Sequence, residues 1–255
     1  MNTEFFQGIK QWEMEWQGMK GKLPVFYYDN TSITAIHTAS TQKVQNLLPN
    51  QDMRPIEFLP GRCLVAFTAF EYRRTDIDPY NEFSIAFLIT FRCTQIPMFT
   101  AAWQMLKRRF TAYVWQLPVT TEIARAGGVE LYGYPKFIAD IEFQRKEGSI
   151  TCNLSEHGKK ILSLKGQAPA THRGKEIRYV TYSIKDGIPL LANVVVNPLE
   201  FSESRSSQAT ELILSKEHSI SQALMNLDLS AKPIMYQYSP RTEAILFGAR
   251  NLLDV

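Results

Sequence analysis

Residues 177–196 read IRYVTYSIKDGIPLLANVVV, two strand-like runs joined by Asp186-Gly187. Aromatic and β-branched residues are frequent in the first run, and the second run is apolar with β-branched residues at its ends, as is typical of β-strands. An Asp-Gly pair between such runs is a strong signal for a two-residue turn, because both residue types tolerate positive φ. The stretch therefore predicts an antiparallel β-hairpin with strands over residues 177–184 and 188–196.

Strand-like segments extend outward from this hairpin over most of the chain. Residues 83–91 form an apolar run, and residues 137–143 alternate between apolar residues and the acidic pair Asp140 and Glu142. Both patterns predict strands. Further strands are expected at residues 63–72, 149–154, 161–165, 209–214, 233–238 and 243–247. Short helices are expected at residues 40–48, 97–109 and 219–224.

Many strands with few helices are typical of a mainly β protein. We expect antiparallel strands that form a closed barrel or a barrel-like sandwich around a central pocket. No repeat or long linker divides the 255 residues, so a single domain over residues 1–255 is expected. Aromatic residues mixed with charges predict that residues 1–22 form an N-terminal arm or helix, packed on the body or on a second subunit.

The charge balance argues against several classes of partner. The 28 basic and 25 acidic residues leave a net charge of +3, too even for nucleic acid or an anionic membrane as the main partner. The basic cluster Lys107-Arg108-Arg109 is interpreted as the last turn of a helix, where cations complement the helix dipole.

The cysteines and the N-terminal sequence bear on location. Cys63, Cys93 and Cys152 are scattered, which is typical of reduced thiols in a cytoplasmic protein. The sequence shows no signal-peptide pattern and no apolar segment near the ~20 residues of a membrane span. We therefore expect a cytoplasmic protein without a membrane partner.

Familiar cofactor and metal motifs are missing from the sequence. The four histidines stand in no metal-binding arrangement, so no metal site is expected. His157, in a predicted turn, and His218, near a helix start, are expected to face solvent. Ala126-Gly127-Gly128 has no phosphate-binding motif behind it and is interpreted as a bend.

One segment does carry a chemical signal. Residues 130–137 read ELYGYPKF and place Lys136 among aromatic, aliphatic and glycine residues. The preceding Pro135 restricts the backbone, and the lysine opens a predicted strand. On composition alone, a solvent-facing lysine at a strand start is the ordinary interpretation.

A resemblance to a known family favours a functional lysine instead. The segment from Glu122 to Phe143 resembles the signature region of acetoacetate decarboxylases, in which an aromatic-Pro-Lys run ends on the Schiff-base lysine. The residues that match this pattern are Gly128, Glu130, Leu131, Tyr134, Pro135 and Lys136. Upstream, Pro79-Tyr80-Asn81-Glu82 resembles the segment that carries the family's catalytic glutamate. The resemblance spans roughly residues 23–250 and implies that Lys136 and Glu82 are catalytic.

The sequence departs from the family pattern at several positions. Phe137 stands where a second lysine is common, and Val129 stands where arginine is usual. A basic residue expected near Tyr28-Asp29-Asn30 is missing, and apolar residues near Phe67 replace a pocket carboxylate. In the family these groups help to hold the carboxylate of the substrate. The sequence therefore does not identify acetoacetate as the substrate.

The resemblance implies a lyase that forms a Schiff base through Lys136, with no metal or organic cofactor. A decarboxylase of acetoacetate or a related β-keto acid is the first alternative. An aldolase or dehydratase that uses the same imine is the second, and a non-catalytic small-molecule-binding barrel is the third.

The resemblance also implies a substrate pocket around the lysine. The residues expected to bind the substrate, a small keto acid, are Tyr134, Phe67, Leu117 and Glu130. Imine formation needs a neutral amine. With Phe137 in place of a second lysine, burial of Lys136 among apolar side chains is expected to supply most of the activation.

We expect a homo-oligomer. The aromatic N-terminal segment and the edges of a β-rich body both need cover. Sedimentation at micromolar concentration measures this directly, and a monomer there would contradict the prediction.

Overall fold

The computed structural model describes residues 4–16, 18–93, 96 and 99–253. Within them the strands, in chain order, are β1 Trp12–Trp16, β2 Met19–Leu23, β3 Val25–Ser40, β4 Met53–Pro55, β5 Glu57–Leu59, β6 Arg62–Thr75, β7 Tyr80–Phe91, β8 Arg109–Gln116, β9 Asp140–Lys146, β10 Ser149–Glu156, β11 Lys159–Gln167, β12 Ile177–Lys185, β13 Ile188–Ser204, β14 Thr210–Leu214, β15 Met235–Leu246 and β16 Arg250–Asn251. The α-helices are α1 Thr41–Gln45, α2 Phe99–Lys107, α3 Glu122–Tyr132 and α4 Ser219–Met225, with a short 3-10 helix at Glu4–Phe6.

The hairpin predicted around Asp186-Gly187 is confirmed. β12 and β13 pair antiparallel from Lys185 opposite Ile188 to Ile177 opposite Val196. Asp186 and Gly187 have φ values of 51° and 79°. Two consecutive positive φ values are what the favoured two-residue hairpin turn requires.

This hairpin forms part of a closed barrel of seven strands. The order around the barrel is β6-β7-β8-β12-β13-β15-β3, and β3 pairs with β6 to close the ring. β8 and β12 run parallel, and the other barrel pairs are antiparallel. The predicted mainly β, barrel-like architecture is confirmed.

A second sheet packs against one side of the barrel. It has four strands in the order β14-β11-β10-β9. The main hydrophobic core lies between this sheet and the outward-facing side chains of the barrel, such as Phe67, Phe83 and Phe87. Because successive side chains on a strand point to opposite faces, the neighbouring residues on these strands face into the barrel.

An N-terminal arm or helix was expected over residues 1–22. The described part of this segment is not an α-helix. β1 and β2 form an antiparallel hairpin. In β1 the residues Trp12, Met14 and Trp16 alternate with glutamates, which is the period of a strand. Trp16 packs on the body of the protein, where it is 8% exposed.

The helix predictions are confirmed in two places and corrected in two. α1 begins after Ser40, whose hydroxyl accepts a hydrogen bond from the Lys43 amide, and α4 lies at the expected position. α2 ends at Lys107, and Arg109 already begins β8. The basic cluster therefore spans a helix end and a strand start, with Arg108 between them at a φ of 49°. The first two residues of the predicted helix, 97 and 98, lie outside the described residues.

The second correction is α3, which contains the Ala126-Gly127-Gly128 segment that was interpreted as a bend. Several strands also differ from expectation. β3 and β8 were not predicted, and β13 ends at Ser204, eight residues later than the predicted end at residue 196. β9 begins at Asp140, three residues later than predicted, and the two predicted closing strands are one bulged strand, β15. Among the helices in the described parts of the chain, none combines the length and the apolar character that a membrane span requires.

Replacement of Trp16 by alanine should lower the free energy of unfolding by about 3 kcal/mol, as expected for a large buried aromatic side chain. Trp12, on the same strand, is 58% exposed, so Trp12→Ala should change that free energy by less than ~0.5 kcal/mol. Urea unfolding of the two variants measures the difference. Equal effects would mean that the hairpin does not dock on the body through Trp16.

Candidate active site

The barrel encloses a cavity of about 370 Å³. That volume is in the range of sites for small organic molecules. Glu82, near the start of β7, and Lys136 line one end of the cavity. Met105 and Arg108 line the opposite end. We call the two regions the lysine end and the outer end.

A short extended segment between β8 and α3 brings Lys136 to the barrel. The amides of Leu117 and Val119 donate hydrogen bonds to the carbonyls of Pro135 and Phe137, and the amide of Ala139 donates to Val119. On its other side, Val119 forms an antiparallel bridge with Glu82. Residues 117–119 therefore connect the lysine segment to the first residues of β7 through backbone hydrogen bonds.

Lys136 and Glu82 form an ion pair at the lysine end. The Nζ of Lys136 lies 2.6 Å from Oε2 of Glu82, and the two side chains are 6% and 9% exposed. Tyr72 donates a hydrogen bond of 3.4 Å to the other carboxylate oxygen. The two residues that the resemblance named as catalytic therefore meet at the lysine end of the cavity.

Four buried tyrosines surround this pair. Burial raises the pKa of Tyr27, Tyr72, Tyr80 and Tyr134 above its usual value, and the negative charge of Glu82 adds to the effect at all four. Their hydroxyls therefore stay protonated at neutral pH. Tyr27 and Tyr80 share a hydrogen bond of 3.3 Å, and Tyr134 shares one of 2.6 Å with Thr181. The Nζ of Lys136 also lies 5.6 Å from the centre of the Tyr80 ring.

Helix α3 approaches the lysine at a glycine. A Cβ atom on Gly128 would collide with Cδ and Cε of Lys136, and one on Gly127 would lie 2.9 Å from the Trp16 ring. The glycine pair therefore serves close packing inside a helix. The helix ends at Gly133, which has a φ of 61°, and the chain then turns into the lysine segment.

The other residues expected to bind substrate divide into two groups. Tyr134 and Leu117 line the cavity with Lys136. Phe67 and Glu130 do not, which corrects the prediction for both. Phe67 is fully buried in the core on the outside of the barrel. Glu130 lies on the outer surface of α3, where Lys185 donates a hydrogen bond to its carboxylate.

Alternation along the lysine segment explains which side chains enter the barrel. Phe137 packs against the main core and Ala139 is buried in it, while Lys136 points to the cavity. Asp140 and Glu142, on the same side as Lys136, are exposed. The segment therefore begins inside the barrel and leaves it before β9.

The histidines lie apart from this cavity. His157 is exposed in a turn as expected, but His218 is largely buried, caps α4 and contacts Glu156 at 2.8 Å. The described residues contain no group of three or more potential metal-binding side chains.

Three tyrosines of the site, Tyr27, Tyr72 and Tyr80, were not predicted from the sequence. Tyr80 precedes Glu82 by two residues on β7, so strand alternation alone could have placed it on the same face. Tyr72, on β6, lies beside Tyr80 on the neighbouring strand β7 and therefore shares its face. Tyr27 carried no comparable signal.

The site is therefore a closed barrel whose cavity ends at a buried lysine–glutamate pair. The family model described as acetoacetate decarboxylase (ADC) matches residues 14–238. The chain belongs to this family. A search of curated proteins finds no match.

Solved structures share the fold at low sequence identity. An acetoacetate decarboxylase from Legionella pneumophila has a TM-score of 0.64 at 13% identity, covering 90% of this chain and 87% of its own. The enduracididine biosynthesis enzyme MppR, complexed with the condensation product of pyruvate and imidazole 4-carboxaldehyde, has a TM-score of 0.62 at 13% identity, covering 90% and 89%. An acetoacetate decarboxylase-like enzyme from Sphingomonas wittichii RW1 has a TM-score of 0.55 at 16% identity, covering 90% and 93%.

Replacement of Gly128 by alanine should displace the Lys136 side chain from Glu82 while the helix is retained, because alanine favours a helix more than glycine does. We expect loss of reductive labelling of Lys136 by a keto acid and borohydride, measured by peptide mass spectrometry. Gly127→Ala is the matched control, since its methyl group meets Trp16 and not the lysine. It should lower stability but keep the labelling. Labelling lost equally in both variants would refute this account of Gly128.

Proposed function

We propose that this protein is a Schiff-base-forming lyase that decarboxylates a β-keto acid through Lys136. The observation that carries the proposal is the buried Lys136–Glu82 pair at the end of a barrel cavity. An amine in this position, next to a proton acceptor and shielded from bulk water, suits attack on a ketone. Membership of the acetoacetate decarboxylase family supports the same chemistry.

The reaction follows from the properties of an iminium ion. The neutral Nζ attacks the keto carbon, and the resulting carbinolamine loses water to give a protonated imine. The bond to the carboxylate then breaks, and its electron pair flows into the iminium as carbon dioxide leaves. The enamine takes up a proton, and hydrolysis releases the ketone and the free lysine.

Glu82 is placed to move the protons that these steps require. At 2.6 Å from Nζ, its carboxylate can accept the ammonium proton before attack and return a proton to the hydroxyl that leaves as water. The Tyr72 hydroxyl, which donates to the same carboxylate, stabilises its charged form. These roles make Lys136 the nucleophile and Glu82 the acid–base group.

Aldol condensation or dehydration through the same imine is the second candidate. The cavity extends well beyond the lysine end, so it has space for a second carbonyl compound beside the imine. The fold is also shared by MppR, whose complex contains a condensation product of pyruvate and an aldehyde. Carbon dioxide release separates the two candidates, because condensation of pyruvate with an aldehyde releases none.

Incubation with acetoacetate or acetopyruvate and borohydride should add the reduced adduct to the peptide that contains Lys136. Lys136→Ala should abolish the adduct, because no other amine lines the cavity among the described residues. Peptide mass spectrometry locates the label. Equal labelling of the variant would remove the central claim, and an unlabelled wild-type protein would leave the non-catalytic binding barrel as the better interpretation.

Substitution of Glu82 by glutamine should lower turnover at least tenfold, which corresponds to about 1.4 kcal/mol of barrier. The neutral amide keeps the size of the side chain but cannot accept the ammonium proton. Steady-state kinetics measures the loss, and circular dichroism checks that the fold is intact. Glu71→Gln, at a partly exposed carboxylate paired with Arg73 and Arg145 outside the cavity, serves as the control. A fully active Glu82→Gln enzyme would show that the acid–base role is wrong.

A further inference from the structure

The cavity is far longer than the acetoacetate molecule requires. β7 places Glu82, Ser84, Ala86 and Leu88 along the cavity wall. The six steps from Glu82 to Leu88 correspond to ~20 Å along the strand, or ~15 Å of barrel axis at the usual strand tilt. An extended chain advances ~1.2 Å per bond, so this length accommodates about a dozen bonds. Acetoacetate has a single methyl group beyond its keto carbon.

The chemical character of the wall changes along this length. Next to the lysine end, the wall carries the hydroxyls of Thr34, Thr68 and Ser84, and the first two hydrogen-bond each other at 3.1 Å. Farther out, one stretch of the wall is apolar. We call that stretch the outer chamber, and its lining residues are Ile36, Leu64, Leu88, Met105 and Phe110. The polar side chains of Arg108, Glu203, Arg205 and Gln237 also line the cavity.

Two alanines keep the passage between these regions open. Ala66 on β6 and Ala86 on β7 lie side by side on neighbouring strands, and Ala112 on β8 lies beside Leu88 on β7; all three line the cavity. A larger side chain at Ala86 would narrow the passage near the middle of the barrel. A larger side chain at Ala112 would shorten the outer chamber, because Ala112 lies beside Leu88, two residues beyond Ala86 on β7.

We propose that the substrate is a keto acid whose keto carbon carries a medium-length apolar chain, and that this chain occupies the outer chamber. The part of this inference that concerns the reactive end of the substrate rests on the proposed function. The part that concerns the apolar chain rests on the cavity alone. Burial of the chain supplies binding energy far from the reacting atoms. Ala86 and Ala112 then determine the longest chain that fits.

Two measurements on the wild-type protein test the proposal separately from the chemistry. Calorimetry with hexanoate, octanoate and decanoate, which carry no ketone, should show affinity rising up to about fourfold per added methylene. Turnover of β-ketodecanoate should exceed that of acetoacetate at least tenfold in kcat/KM. Carboxylates that bind with no dependence on chain length, together with a preference for acetoacetate, would overturn the proposal.

Variants locate the chain in the barrel. Ala86→Leu should reduce the kcat/KM ratio of β-ketodecanoate to acetoacetate at least tenfold, and Ala112→Leu should reduce it less while shortening the longest accepted chain. Ala102→Leu, on the exposed face of α2, is the matched control and should keep the wild-type ratio. If both cavity variants fold, by circular dichroism, and keep that ratio too, the chain does not lie where we propose.

The outcomes also separate this inference from the proposed function. Chain-length-dependent binding of carboxylates without imine formation or carbon dioxide release from any keto acid would support the outer chamber and refute the lyase. Imine formation with acetoacetate but no gain from a longer chain in either binding or turnover would support the lyase and refute the outer chamber.

Discussion

A lysine and a glutamate that lie 2.6 Å apart with almost no solvent contact must be held together by the structure around them. Removal of two charges from water commonly costs more than their attraction returns, so such a pair does not stabilise a fold by itself. Here the surrounding packing offsets that cost. The main core, the four-stranded sheet and the N-terminal hairpin all lie outside the cavity, which leaves the barrel interior available for a polar site.

The position of this pair follows from backbone hydrogen bonding. Glu82 is fixed in a barrel strand, but Lys136 lies on a segment outside regular secondary structure. Residues 117–119 bond to that segment on one side, and Val119 bridges to Glu82 on the other. Backbone pairing is far less adjustable than a long lysine side chain. The remaining freedom of the lysine stem is limited by Gly128, where the helix backbone passes directly beside it.

Much of the fold was predictable because it follows from local patterns. The Asp186-Gly187 pair predicted a hairpin turn, and the apolar runs predicted strands. Many strands with few helices in turn predicted a barrel or a barrel-like sandwich. The two segments that carry Lys136 and Glu82 were found by resemblance to a family, not by periodicity. What failed depends on tertiary contacts. Gly127 and Gly128 have poor helix propensity, yet they lie in α3 because Trp16 and Lys136 pack against them.

It was harder to predict from the sequence which side chains of a barrel strand point into the barrel. β6 is apolar or aromatic on both faces, so its alternation says that Phe67 and Phe70 point in opposite directions without saying which points inward. The pairing with β7 decides it, because Phe70 lies opposite Glu82 and therefore shares its face. Phe67 then belongs to the outer core.

The same alternation separates the chemistry of the barrel from its selectivity. In the proposed mechanism, Glu82 on β7 serves the reacting amine while Ala86 and Leu88 shape the far wall of the cavity, and every second residue between them belongs to the core. Residues that set substrate size can therefore change without disturbing either the amine or the packing of the outer face. Under the two proposals, the lysine and its partner can stay unchanged while the accepted substrate changes, since the two properties lie on different stretches of the barrel.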